Sequence, residues 1–254
     1  MTVLELKRWI RSKKMFVLFL FFISISLTSA LSSYYASDII KVMVPENQAQ
    51  IVLGTTSWEQ ITYSFFKTSA QLGLFVSLYL ILKIGMISSS ESLKIFYMTR
   101  TENFFRIYTP KLLSSLLVFI STWLSGFLVA IYVIFVLYDT FNMEKLIVTA
   151  MYHLIMLLLL VTICFTLNSI VGSPFIISAL VEVLLMILSS FSRMKVVQRY
   201  SGIHLLFPKS LLSWKDAFEL ENIEPIGYAC LYLLAIGLLV WLLKRFRRRV
   251  WSLR

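Results

Sequence analysis

Two ionisable side chains stand inside long apolar runs, where charge is costly and tends to be kept for a purpose. Glu182 lies near the middle of the run 175–191, and Lys67 lies six residues after Ile61 in another. Both are candidates for a translocation path or a dimer interface. Glu182 has a second reading as a protonated, hydrogen-bonded packing residue. Lys67 has one as a cation whose long stem lets it snorkel to the outer surface. His153 and His204 are too few and too far apart to suggest a metal site. Neither begins an H-E-x-x-H pattern, and although His153 could meet a serine, nothing in the sequence specifies one. Cys164 and Cys230 both fall in apolar runs and read as small packing residues. The eight glycines are scattered singly, so no phosphate-cradling G-x-x-x-x-G-K-[ST] loop exists.

The stretch 83–111 carries a different chemistry, that of docking. Ser88-Ser89-Ser90-Glu91 fits a capping box, in which the serine starts a helix and the glutamate reaches back to it. The short helix that follows would present Leu93, Phe96, Tyr97 and Met98 as an apolar face. Thr99-Arg100-Thr101-Glu102 fits a second box, starting another helix that runs through Thr109-Pro110-Lys111. Two short helices meeting at an angle would make an aromatic knob suited to a partner's pocket. The alternative is an interfacial hairpin whose aromatics lie among lipid headgroups.

The elements that must carry these residues follow from composition. The chain of 254 residues is 59% hydrophobic and 15% charged, against about 45–50% and about 25% in ordinary globular proteins. Its apolar residues form six blocks long enough to cross a hydrocarbon core of about 30 Å. They span about 15–31, 61–82, 112–137, 147–167, 175–191 and 226–243. Sixteen of the 24 basic residues lie in three regions, before the first span, between spans two and three, and after the sixth. The positive-inside rule places those regions, and so both termini, in the cytoplasm. That topology accounts for the net charge of +11 without nucleic acid.

Residues 1–14 predict an interfacial helix, with Val3, Leu6, Trp9 and Ile10 on one face and Lys7, Arg8 and Arg11 on the other. A cleaved leader ending near Ala30 is the competing reading, but a disposable leader does not need that pattern. The C-terminal run Lys244-Arg245-Phe246-Arg247-Arg248-Arg249 reads as a stop-transfer cluster on the inner leaflet. Gly172-Ser173-Pro174 predicts a tight turn between spans four and five. The expected fold is therefore one all-α membrane domain over 1–254, with 192–225 external.

In this arrangement the chain resembles the permease subunit of bacterial type-2 ATP-binding-cassette exporters. Glu91, the segment from Leu93 to Met98, Thr99-Arg100 and Lys111 match the family's coupling loop; its glycine after the glutamate and the proline of its turn are missing. His204-Leu205-Leu206-Phe207-Pro208 is similar to the family's external segment, which folds partly back into the membrane. The resemblance implies an elbow helix at the N-terminus, and coupling through Glu91, Leu93, Phe96, Tyr97, Met98 and Arg100 to a separate cytoplasmic ATPase. ATP and Mg would be bound by that partner, and this chain would hold no cofactor and no metal. It also implies a second permease, either another copy or a paired chain, in the cell membrane.

The expected function is export of a hydrophobic or amphipathic cargo, a toxin or bacteriocin-like peptide (for export or self-immunity) ahead of a drug or lipid. A passive channel or membrane adaptor is the alternative, although a pore has no need of the basic, aromatic loop. An intramembrane enzyme lacks its constellation of residues.

Overall fold

The computed structural model describes residues 2–35, 57–85, 104–191, 194–213 and 223–251, and among them every regular element is a helix. Helix α1 (Thr2–Arg11) stops where Lys13 adopts a left-handed φ of 57°, and α2 (Lys14–Tyr34) starts at once in a new direction. Helix α3 (Trp58–Gly85) contains a π-helical turn at Ser69–Gly73. Helix α4 (Phe104–Leu137) accommodates Pro110 near its start, losing one ladder hydrogen bond there. Helix α5 (Met143–Val171) begins at Asn142, whose side chain accepts from the Lys145 backbone N–H at 3.0 Å. It ends at Gly172, where φ is 69°, and Pro174 opens α6 (Pro174–Ser190) in the favoured first-turn position. The turn predicted at 172–174 is present.

Three short helices follow, α7 (Lys195–Ser201), α8 (Ile203–Leu206) and α9 (Lys209–Ser213), before α10 (Glu224–Trp251). Four segments are long and apolar enough to cross a membrane: Lys14–Tyr34, Trp58–Gly85, Tyr108–Leu137 and Met143–Ser169. The shortest of them has 21 residues, which at 1.5 Å per residue reaches about 31 Å. The fifth and sixth predicted spans fall on shorter apolar helices, Pro174–Ser190 and Glu224–Leu239.

The core forms where α2, α3, α4 and α5 meet. Phe22 of α2 points its ring edge at Phe119 of α4, with centroids 6.0 Å apart. The two backbones approach so closely that a Cβ on Gly126 would stand 2.8 Å from the Phe22 carbonyl oxygen. Only glycine fits such a contact without displacement. Across the core Phe66, Trp123 and Phe127 stack in succession, and all three are buried.

Contacts at the helix ends fix the order of the bundle. At one end Asn168 of α5 donates to the Leu82 carbonyl of α3 at 3.3 Å, and the Tyr108 and Thr166 hydroxyls are 2.7 Å apart. Helix α1 packs on α4 at that end and buries Trp9 completely. At the other end Lys145 pairs with Glu59 at 3.6 Å, joining the starts of α5 and α3.

The apolar face predicted for α1 is divided. Trp9 is buried and Leu6 partly so, while Val3 and Ile10 are 65% and 58% exposed. The packed stripe runs through Thr2, Glu5, Leu6 and Trp9. At about 100° per residue, Val3 and Ile10 share the neighbouring, outward stripe.

Candidate functional site

The π-helical turn in α3 carries a polar contact buried in the core. A π-helical turn lengthens the local hydrogen-bond loop and is frequent at functional positions. Here it carries Ser69, whose Oγ lies 3.0 Å from Nε2 of His153 on α5. The other ring nitrogen, Nδ1, is 3.3 Å from the carbonyl oxygen of Leu205 in α8. A carbonyl only accepts, so Nδ1 carries the hydrogen and Nε2 presents its lone pair. The Ser69 hydroxyl therefore donates to Nε2, with the Phe66 carbonyl, also at 3.0 Å, as its alternative acceptor.

Aromatic rings enclose the pair. The Phe66 and Trp123 ring centroids lie 4.8 and 5.8 Å from that of His153. Ser69 and His153 are both fully buried. A serine beside an imidazole is the beginning of a nucleophile and its base, but catalysis also needs substrate and water to reach the hydroxyl. The third partner is moreover a neutral carbonyl, where an imidazolium-stabilising triad places a carboxylate. As built, the unit is a three-way hydrogen-bonded link between α3, α5 and the segment carrying α8.

That segment is seated firmly. Leu205, Leu206 and Phe207 are buried, with Leu211 and Leu212 beyond them. Gly202 takes a φ of 62°, and a Cβ there would lie 2.7 Å from the Met156 methyl group. The stretch predicted to fold back, His204–Pro208, turns onto the bundle and packs on α5.

Of the predicted site residues, Glu91, Leu93, Phe96, Tyr97, Met98 and Arg100 lie outside the described residues. Glu182 sits midway along α6 between Ser178 and Leu185, both buried. Both of its carboxylate oxygens are enclosed and have no hydrogen-bond partner among the described residues. Lys67 is exposed on α3. No ion pair joins Lys67 to Glu182 among the described residues, so the structure does not bring the two together. Lys111, expected at the mouth of the third span, is 4% exposed near the start of α4. No cluster of metal-ligating side chains occurs among the described residues.

The sequence by itself does not pair Ser69 with His153. The available signal was the small, polar block Thr68-Ser69-Ala70-Gln71 interrupting an apolar run. Nothing in the spacing of 84 residues connects it to the histidine.

No family model, curated protein or solved structure matches the chain.

Proposed function

We propose that the chain is a six-span permease subunit of a type-2 ATP-binding-cassette exporter in a bacterial cell membrane, moving a hydrophobic or amphipathic cargo such as a toxin peptide. The observation that carries this reading is the basic end of the bundle. Helix α1, the start of α2 with Lys14, the end of α3 with Lys83, and the start of α4 with Lys111 gather there. Stretch 86–103 leaves α3 and rejoins α4 at the same end. A cytoplasmic ATPase docking on Phe96, Tyr97 and Met98 would thereby push on spans two and three together. Glu91 and Arg100 would fix the loop's shape, and ATP and Mg would stay on the ATPase. The outward apolar residues of α6, among them Ile176, Leu180, Val183 and Ile187, suit lipid or a second permease. Glu182, on the same helix, is then the candidate for the path or the dimer seam.

Co-expression with the ATPases of the source cell tests the reading. An ATPase is expected to stay bound in detergent, and Phe96→Asp to release it while membrane insertion is unchanged. Purification without any ATPase would favour the channel or adaptor. Retention by the Phe96→Asp chain would move docking away from the loop.

A further inference from the structure

Helix α1 offers a hollow that the exporter reading does not use. Leu4, Lys7, Arg8, Arg11 and Ser12 line an open surface depression of about 500 Å³. Three of these five residues are cations. Arg8 meets Glu5 at 3.6 Å but keeps half of its side-chain surface exposed. Lys7 and Arg11 are exposed and have no ion-pair partner among the described residues. Lys14 and Lys83 add to the local positive field: Lys14 is within electrostatic reach of both Arg8 and Lys83. Such a field concentrates anions.

The surroundings distinguish a lipid from a free ion. Leu4 lines the hollow itself and is 69% exposed, and Val3 and Ile10 are exposed beside it. A dissolved phosphate gains nothing from apolar neighbours, whereas the glycerol and first acyl carbons of a phospholipid do. The left-handed turn at Lys13 leads directly from the hollow into the 21-residue apolar helix α2. That continuity sets the cations at headgroup depth when α2 crosses the bilayer.

We infer that the hollow on α1 is a binding site for the phosphate headgroup of an anionic phospholipid, held by Lys7, Arg8 and Arg11 with its glycerol end against Leu4. This site requires the chain to sit in a membrane but not to be an exporter, so it stands or falls apart from the proposed function. Anionic lipid attracts each surface cation enough for about a five-fold gain in affinity, so removing two costs about 30-fold.

The test is lipid binding to the full chain in detergent, titrated with phosphatidylglycerol or with phosphatidylcholine and read by native mass spectrometry. The expected result is selective retention of phosphatidylglycerol, weakened about 30-fold in Lys7→Ala/Arg11→Ala. The charge-keeping Lys7→Arg/Arg11→Lys should retain it, which separates lost charge from a lost fold, and Lys67→Ala should bind as the parent does. Equal binding by the alanine variant, or equally tight phosphatidylcholine, would overturn the site. Displacement of the lipid by equimolar inorganic phosphate would show a free-anion site and overturn the lipid assignment.

Discussion

His153 is held at both ring nitrogens, and the two bonds differ in what their loss would cost. Ser69→Ala removes one donor and leaves a small, tolerable change; hydrogen bonds between membrane helices average about 0.6 kcal/mol. His153→Ala strands the buried Leu205 carbonyl and empties a ring-sized space beside Phe66 and Trp123. Those effects together amount to about 3 kcal/mol or more. Unfolding of the purified chain in mixed micelles should therefore rank His153→Ala well below Ser69→Ala in stability. The double variant should lose less than the sum, because the bond is already gone in either single one. Equal losses with strict additivity would show that the two side chains do not cooperate. At this scale the sequence was partly legible. His153 could meet a serine that nothing in the sequence specifies, and its partners are 84 and 52 residues away, a separation that carries no signal of such contacts. Glu182 was legible as an ionisable group inside an apolar run, and its enclosed oxygens show why the residue type is costly there.

Helices were the most legible feature, since apolar blocks of span length have few other solutions. The turn between α5 and α6 was also readable, because Gly172 supplies the left-handed residue and Pro174 the preset φ of a first turn. The π-helical turn was not, for no residue type demands one. Nor does sequence tell one helical glycine from another. Gly126 faces the Phe22 backbone, whereas a Cβ at Gly237 would meet nothing within 4 Å. Alanine should consequently act in opposite directions at the two positions. Gly237→Ala should stabilise by up to about 1 kcal/mol through helix propensity. Gly126→Ala should destabilise by about 2 kcal/mol or more, as α2 and α4 are forced apart. Thermal unfolding of the two variants beside the parent checks this, and stabilisation by Gly126→Ala would mean the α2–α4 contact yields easily.

For the molecule as a whole, the uneven distribution of basic residues is the main readable quantity, and it agrees with the way the helix ends are paired. Lys14, Lys83 and Lys111 belong to one end, and the Lys145–Glu59 pair to the other. In a Cys230→Ser background, cysteines placed at Lys83 and at Asn142 should be reached by a membrane-impermeant maleimide from opposite faces of the bilayer. Under the proposed topology, only the Asn142→Cys chain is labelled in intact cells. Labelling of Lys83→Cys from outside would invert the chain. The loop chemistry at 88–102 was the most specific reading the sequence offered for a partner, and it falls outside the described residues.

The link from His153 to Leu205 also bears on how such a chain matures. A ribosome that has released α6 into the bilayer has delivered all four of the longest apolar helices, yet the imidazole still lacks its carbonyl acceptor. The acceptor arrives only with residues 203–206, on a segment that must fold back over helices already inserted. Assembly is thus closed from the side opposite the basic end, late in synthesis, by a stretch of four residues. Until then the Nδ1–H of His153 lacks the acceptor it has in the folded chain.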